Sequence, residues 1–235
     1  MSGRTFAGVL AAGHGTRFQA AGVRTPKALV AVSGRTLIQR TLDAFEGAGL
    51  GRVTVVVNEA VAPAVSTHVG SRARIHAKTT ASTLETFATL LGLAAAEGAE
   101  RFVFTTVDAV SPGRELARFA REAGSAPEEL VLGVGETDPE DPSPLRVTLA
   151  PTGAARLGDG PYATIGFYAG RLTPLAQEAA AAVVEGVPSL RGFLTRRSEL
   201  SVVRGILLGR TFDVDTPRDV AMAEAAIERG GAVRE

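Results

Sequence analysis

Residues 10–27 read LAAGHGTRFQAAGVRTPK, and this stretch decides the fold. The apolar run at residues 6–12 leads into it and has the length and composition of a buried β-strand. Gly13 and Gly15 follow that strand, so backbone N–H groups can come close to an anion there. Arg17 adds a planar set of donors for phosphate oxygens, and Lys27 adds a compact positive charge. The segment therefore predicts a strand followed by a loop that holds a polyphosphate.

Two common phosphate-binding patterns do not fit this loop. A P-loop requires a lysine directly after its second glycine, and here His14 follows Gly13. The dinucleotide-binding pattern requires a third glycine at the position that Phe18 occupies. A glycine-rich turn between a strand and a helix, without any ligand, is the alternative at this point.

Residues on both sides of the loop extend it into a longer signature. The segment resembles the L-A-A-G-x-G-T-R, P-K-x-L and G-x-x-L-I signature of the sugar-1-phosphate nucleotidyltransferases and MobA-like NTP transferases. The matching residues are Leu10, Ala11, Ala12, Gly13, Gly15, Thr16, Arg17, Pro26, Lys27, Leu29, Gly34, Leu37 and Ile38. The resemblance implies a Mg²⁺-dependent enzyme that transfers a nucleoside monophosphate from an NTP to a phosphorylated small molecule.

The rest of the chain alternates between strand-like and helix-like segments. Short β-rich runs occupy residues 6–12, 53–57, 102–107 and 130–134, and apolar residues at helical spacing lie between them. This order predicts an α/β fold with a doubly wound, mostly parallel sheet, helices on both faces, and ligands at the carboxyl ends of strands. The further predicted elements are a strand at 163–168, a helix at 172–184 and a final strand at 201–208. We expect a single nucleotidyltransferase domain over residues 1–235.

Composition excludes several classes of protein. The 25 basic and 25 acidic side chains balance, so there is no bulk charge to attract nucleic acid or an anionic membrane. The absence of cysteine excludes disulfides and thiolate chemistry. No apolar run approaches the ~20 residues of a membrane span, and no signal-peptide pattern is seen. We expect a cytoplasmic protein whose partners are small molecules.

Acidic residues follow two of the predicted strands. Asp108 comes directly after the run at 102–107, and Asp213 and Asp215 follow the final strand two residues apart. Residues i and i+2 of an extended chain face the same side, so both carboxylates can reach one cation. We therefore predict that Asp108, Asp213 and Asp215 bind Mg²⁺, with Asp213 favoured over Asp215 as a direct ligand. The alternative for Asp215 is that it only supports a helix that begins at Thr216.

The resemblance also implies roles for individual residues. Arg17 would neutralise the β- and γ-phosphates, and Lys27 would stabilise transition-state charge beside the α-phosphate. The predicted nucleotide-binding residues are Leu10, Ala11, Ala12, Gly13, Gly15, Thr16, Thr79, Thr80 and Ser82. The last three belong to the segment in which relatives recognise the base. Ser82 alternatively serves only as the cap of the helix that it begins.

The resemblance leaves the two substrates open. Uridylyl and thymidylyl enzymes of this kind carry a Gln and a G-T-A-like run in the base segment, and guanylyl enzymes of molybdenum-cofactor synthesis carry a G-G-x-S-x-R-M-G loop. This chain has neither pattern, so elimination favours CTP. The acceptor classes that stay open are sugar 1-phosphates, polyol phosphates, phosphocholine-like esters and phosphonates.

Other interpretations also stay open. The chain could be a nucleotide-binding regulatory domain that has lost catalysis, or a sugar-1-phosphate uridylyl-, thymidylyl- or guanylyltransferase. Residues 135–146 are acidic and rich in proline, which predicts a lid, an oligomer arm that would make the protein a homodimer, or a surface loop.

Overall fold

The computed structural model describes residues 4–111, 114–136, 144–209 and 211–231. The strands of this part of the chain are β1 (Thr5–Ala11), β2 (Ala31–Val32), β3 (Arg35–Thr36), β4 (Val53–Val57), β5 (Ala73–Ala77), β6 (Arg101–Thr106), β7 (Ala109–Val110), β8 (Leu130–Glu136), β9 (Arg146–Leu149), β10 (Ala154–Leu157), β11 (Tyr162–Arg171), β12 (Val203–Leu207) and β13 (Phe212–Asp213). The helices are α1 (Thr16–Ala20), α2 (Leu37–Gly47), α3 (Ala62–Val69), α4 (Thr83–Ala96), α5 (Glu115–Gly124), α6 (Leu175–Val184), α7 (Leu190–Leu200) and α8 (Pro217–Gly231).

Nine of these strands form one sheet in the order β5-β4-β1-β6-β11-β8-β12-β10-β9. Strands β5, β4, β1 and β6 are parallel, because helices carry the chain back between successive strands. Antiparallel pairing in this sheet begins at β11, which lies between β6 and β8. The predicted α/β class is therefore confirmed, and the sheet is mixed in its second half.

Strand β11 belongs to two parts of the sheet. Its C-terminal half pairs with β6, and its N-terminal half pairs with both β8 and β9. Strands β11, β8, β12, β10 and β9 thereby form a closed ring of pairings. The register of β11 shifts between Thr164 and Tyr168, where Gly166 has a φ of 78°. A Cβ at Gly166 would lie 2.4 Å from the Thr106 hydroxyl oxygen, so this bend requires glycine.

Apolar side chains cover both faces of the sheet. Helices α2, α3, α5 and α8 contribute to the core on one face, and α4, α6 and α7 to the core on the other. On the second face Phe87 of α4 packs against Phe104, Tyr168 and Phe193, at ring-centroid distances of 5.7, 5.7 and 6.4 Å. These ring contacts hold α4 and α7 on the sheet. Helices on both faces are thus confirmed.

The predicted elements differ from the observed ones mainly at their ends. The helix predicted at 172–184 begins only at Leu175, because the residue before Pro174 is disfavoured in helical conformation. Strands β5, β9 and β10 and helix α3 were not among the elements predicted from the sequence. Most of the acidic stretch at 135–146 lies outside the described residues. Among the described helices, none has the length and apolar character needed to cross a bilayer.

Candidate active site

A cleft of about 970 Å³ lies at the carboxyl ends of β1 and β6. Its walls come from the loop after β1, the start of α4, the turn after β6, the N-terminal half of β11, the start of α7 and the β13–α8 connection. Segments far apart in sequence therefore meet at one edge of the sheet, as expected for an α/β fold.

The glycine loop forms the floor of this cleft. Leu10, Ala11, Ala12, Gly13, Gly15 and Thr16 all line it. Gly15 has a φ of 62°, and a Cβ there would lie 3.2 Å from the Lys27 Cβ, so glycine lets the loop pass close to Lys27. A Cβ at Gly13 would meet no protein atom within 4 Å, because this position faces the open cleft. A ligand can therefore approach the Gly13 backbone closely.

Two short strands bring the three predicted metal ligands together. Asp108 lies in the turn between β6 and β7, and β7 pairs with β13 so that Ala109 is opposite Asp213. The Val214 N–H donates to the Asp108 carbonyl over 3.0 Å, which fixes the two segments side by side. Asp108, Asp213 and Asp215 each offer a carboxylate oxygen within 4.8 Å of the others. Hard cations prefer such an all-oxygen donor set.

The two predicted phosphate-binding cations contact these carboxylates. The Lys27 Nζ donates to Asp108 and to Asp215, and Arg17 donates to the other oxygen of Asp215. Lys27 is largely buried, with 11% of its side chain exposed, whereas Arg17 is 60% exposed. Lys27 and Arg17 are therefore both engaged in ion pairs with Asp108 and Asp215.

The pKa values of the site indicate an excess of negative charge. Burial acts to lower the pKa of Lys27, but the charges of Asp108 and Asp215 outweigh it and raise that pKa above its ordinary value. Solvent reaches Asp213 from the cleft, yet partial burial, followed by repulsion from Asp108 and Asp215, raises its pKa to about 7. A further cation beside these carboxylates would relieve this repulsion.

Asp219 rather than Asp215 supports the start of α8. The Asp219 carboxylate accepts from the Thr216 N–H over 2.7 Å and from the Asp215 N–H over 3.0 Å. In return the Thr216 hydroxyl accepts from the Asp219 N–H over 3.3 Å, which makes a capping box. Because Asp219 meets this need, the Asp215 carboxylate stays available to Lys27 and Arg17.

The predicted base segment is only partly at the cleft. Thr80 and Ser82 line the cleft, whereas Thr79 is not among its lining residues and donates from its hydroxyl to Glu59 over 2.8 Å. The Ser82 hydroxyl accepts from the Glu85 N–H over 3.2 Å, so Ser82 caps α4 as predicted. The Thr80 and Thr86 hydroxyls lie 2.7 Å apart and are buried.

A further wall of the cleft contains no residue that was predicted from the sequence. Its lining residues are Glu136, Pro144, Leu145, Ala163, Thr164, Ile165, Gly166, Ser189, Leu190, Arg191 and Leu194. We call this set the far wall. These residues come from four separate segments of the chain and match no motif. The antiparallel placement of β11, which a sequence pattern does not reveal, brings the residues of its N-terminal half to this edge.

Comparison with known proteins yields one family match and one curated relative. The family model of the MobA-like NTP transferase domain matches residues 7–186. A 66-residue segment is 46% identical to the bifunctional protein GlmU of Caulobacter vibrioides. That segment is 28% of this chain and 13% of the relative, so the chain matches only a small part of that protein's length.

Several solved structures share the fold. The inositol-1-phosphate CTP transferase of T. maritima is 19% identical, with a TM-score of 0.73 and 97% of each chain covered. A putative glucose-1-phosphate thymidylyltransferase of Bacillus anthracis is 16% identical, with a TM-score of 0.78 and 95% of each chain covered. A UDP-glucose pyrophosphorylase is 15% identical, with a TM-score of 0.72 over 96% of this chain and 98% of that one. At these identities the likeness concerns the fold.

Proposed function

The chain belongs to the MobA-like NTP transferase family and is a nucleotidyltransferase, and on that premise we propose that it acts on CTP and a phosphate or phosphonate monoester. One observation carries this proposal: Lys27, Asp108, Asp213 and Asp215 lie together beside the glycine loop in a single cleft. We propose further that one domain performs the whole reaction, in the cytoplasm, where nucleoside triphosphates are available.

The proposed reaction is a single displacement at the α-phosphorus. An oxygen of the acceptor phosphate forms a bond to that phosphorus, and the bond from phosphorus to the bridging oxygen of the β-phosphate breaks. Pyrophosphate leaves with the electron pair, so no enzyme nucleophile takes part. The protein has to hold the two substrates in line and to stabilise the charge that develops. The N–H groups of the glycine loop, Arg17 and Lys27 are placed to do this.

The donor set of the site fits a Mg²⁺ ion. Three carboxylates within 4.8 Å of one another, together with the raised pKa of Asp213, mark a place where a divalent cation is stabilised. Asp215 already pairs both of its oxygens with Lys27 and Arg17, so we propose Asp108 and Asp213 as the direct ligands. The ion would supply charge neutralisation of the triphosphate.

Metal and nucleotide are expected to strengthen each other's binding. Lys27 has to leave Asp108 to reach the phosphates, and the Asp108 carboxylate then becomes free to hold a cation beside Asp213. Binding of the metal ion alone, or of the nucleotide alone, breaks this ion pair and leaves some of the separated charge without a partner of opposite sign. We expect the affinity for the NTP to rise by at least ~10-fold when Mg²⁺ is present, a coupling of about 1.4 kcal/mol. Calorimetric titration with and without Mg²⁺ measures it.

A Lys27→Met variant tests the origin of this coupling without turnover. Removing the ammonium frees the Asp108 carboxylate, so Mn²⁺ used as a probe should bind the nucleotide-free variant more tightly than the wild type. Lys78 is the matched control, since it is the only other lysine and pairs with Glu85 away from the cleft. Unchanged or weaker Mn²⁺ binding by Lys27→Met would contradict the exchange of partners.

Hydrogen bonding in the base segment supports CTP. The Thr86 hydroxyl can donate to the Ser82 carbonyl over 3.3 Å, and in that arrangement Thr80 is the donor and Thr86 the acceptor in the 2.7 Å contact between the two hydroxyls. The Thr80 oxygen then offers only lone pairs to the cleft. Such an oxygen can accept a hydrogen bond from the amino group of cytosine, whereas the carbonyl oxygen that uracil carries at the same position is itself an acceptor and is repelled.

Pyrophosphate release tests the proposal and its alternatives. We expect release with CTP in preference to UTP, ATP and GTP when phosphate monoesters of several classes are supplied as acceptors. Thr80→Val should reduce the preference for CTP over UTP, because it removes the acceptor while keeping the side-chain shape. Thr67→Val is a control on an exposed hydroxyl of α3 that bonds only within its helix. Clear preference for a purine would contradict the assignment of CTP, and nucleotide binding without any release would favour a regulatory domain.

A further inference from the structure

His14 occupies the one position that the L-A-A-G-x-G-T-R signature leaves variable, and it lines the cleft. We propose that the His14 Nε2–H donates a hydrogen bond to the terminal phosphates of the bound NTP, and that Asn58 fixes the ring tautomer that makes this possible. These phosphates leave as pyrophosphate. The inference rests on the proposed function and deepens it, since it adds a triphosphate-binding side chain and its positioning partner to that site.

Asn58 presents its amide NH₂ group to His14. Asn58 directly follows β4 and is buried, with 7% of the residue exposed. Its Oδ1 accepts from the Ala60 N–H over 2.9 Å, and because a main-chain N–H can only donate, this contact identifies the oxygen of the amide. The amide nitrogen Nδ2 then lies on the other side, 3.5 Å from the His14 Nδ1. The turn into α3 therefore sets the direction of this amide.

This contact determines which ring nitrogen of neutral His14 carries the proton. An amide NH₂ group only donates, so the His14 Nδ1 has to accept with its lone pair, and the proton is then on Nε2. Among the residues that the structure describes, none forms a hydrogen bond with the His14 Nε2. His14 is exposed and lines the cleft, so this N–H can donate to a ligand there.

The main chain at His14 is held on the side of the glycine loop away from the carboxylates. The Gln19 side chain donates to the His14 carbonyl over 2.8 Å. Asn58 lies at the carboxyl end of β4, and β4 and β6 flank β1 on opposite sides. Asp108 follows β6, so it lies across the loop from the pair of His14 and Asn58. His14 is therefore placed for a part of the nucleotide other than the reacting α-phosphate.

The terminal phosphates are the part of the NTP that suits this position. The base is assigned to Thr80 and Ser82 in the proposed function, and Arg17, three residues beyond His14, is assigned to the β- and γ-phosphates. A Cβ at Gly13 would meet no protein atom within 4 Å, so phosphate oxygens can come close to the loop beside His14. Phosphate oxygens offer only lone pairs, which match an N–H donor.

Binding of inorganic pyrophosphate tests the contact without turnover. Calorimetry is done with Mg²⁺ at about pH 8, above the ordinary histidine pKa of about 6.5, so that the imidazole is neutral. We expect His14→Leu to bind pyrophosphate and CTP at least ~5-fold more weakly than the wild type, and CMP within ~2-fold. His14→Gln should retain part of the affinity, because its amide N–H reaches about as far as Nε2. His68→Leu is the control, since His68 contacts the Thr36 hydroxyl over 3.0 Å and does not line the cleft.

NMR of the ring nitrogens tests the role of Asn58. The chain has three histidines, and the spectrum of His14→Leu identifies the signals of His14. In the nucleotide-free wild type at about pH 8, we expect Nε2 to carry the proton and Nδ1 to carry none. Asn58→Ser removes the amide donor, while its hydroxyl can still accept from the Ala60 N–H. We expect this variant to show a mixture of tautomers and to bind pyrophosphate with an affinity between those of the wild type and His14→Leu.

The possible outcomes separate this inference from the proposed function. Equal pyrophosphate binding by His14→Leu and the wild type would overturn the contact with the terminal phosphates, and an equal loss of CTP and CMP affinity would overturn it in favour of a contact with the nucleoside. A proton on Nδ1 in the wild type would overturn the role of Asn58. These results leave the proposed function intact. A wild type that binds pyrophosphate through His14 but releases none from any NTP and acceptor would overturn only the proposed function, and a wild type that binds neither pyrophosphate nor CTP would overturn both.

Discussion

Replacing Lys27 with Met is expected to lower kcat by at least ~10²-fold, equivalent to about 2.7 kcal/mol of transition-state stabilisation. The Lys27 ammonium is buried between the carboxylates and the glycine loop, and proximity to Asp108 and Asp215 keeps it charged. A buried charge beside the α-phosphate acts on the transition state with little screening by water. Steady-state kinetics of pyrophosphate release measures the effect.

The Lys27→Met variant needs a control for folding, because loss of the Lys27 ammonium leaves Asp108 and Asp215 without that partner. Breaking a partly buried ion pair is itself destabilising. Lys27→Arg keeps the positive charge but replaces a compact ammonium with a planar fork, so we expect a folded protein that is also impaired. Circular dichroism establishes that both variants fold, and Lys78→Met controls for the loss of a lysine. A folded Lys27→Met enzyme with nearly normal kcat would rule out the proposed catalytic role.

The part of the site that follows from local sequence is predictable. The order of strand, glycine loop, Arg17 and Lys27 is contiguous, and its chemistry depends on backbone spacing that the sequence displays. Asp108 and Asp213 were predictable for a similar reason, since each follows an apolar run that ends at the same edge of a parallel sheet. Their pairing through β7 and β13 was not, because two-residue strands leave no periodic pattern.

The far wall was not predictable because it depends on long-range pairing. Strand β11 appears in the sequence as one more apolar run, and nothing in that run shows that it enters the sheet antiparallel between β6 and β8. That choice brings Ala163 and Gly166 to the cleft and sets the start of α7 beside them.

Thr79 was predicted to bind the nucleotide because of its position in the base segment, and the structure places it away from the cleft. It belongs to the predicted base segment, yet its hydroxyl donates to Glu59 and it does not line the cleft. Its neighbour Thr80 does line the cleft, and the Thr80 hydroxyl lies 2.7 Å from that of Thr86. Of the three predicted residues in this segment, Thr80 and Ser82 therefore remain the proposed contacts of the base.

Asp108→Asn and Asp213→Asn are each expected to lower kcat/KM by at least ~10²-fold and to raise the Mg²⁺ concentration needed for half-maximal activity. An asparagine keeps the shape of the side chain and removes one negative charge, so the change tests charge rather than packing. Loss of one carboxylate leaves a hard cation with too few anionic ligands to bind and orient a triphosphate. Mn²⁺ titration of the nucleotide-free variants provides a readout that does not depend on turnover, and each should bind the ion more weakly than the wild type.

Asp43→Asn is the matched control for this pair, because Asp43 holds a surface ion pair with Arg72 over 2.7 Å and does not line the cleft.

Asp215→Asn separates the two possible ligand sets. If Asp215 acts by positioning Lys27 and Arg17, its variant should lose turnover while retaining Mn²⁺ affinity, since both of its oxygens are used by those cations. If Asp215→Asn loses Mn²⁺ binding while Asp213→Asn retains it, Asp215 rather than Asp213 is the direct metal ligand, and the metal site itself stays as proposed. Full activity of the wild type in excess chelator would show that the reaction needs no metal, and Asp108 and Asp215 would then act only to hold Lys27 and Arg17 until the nucleotide arrives.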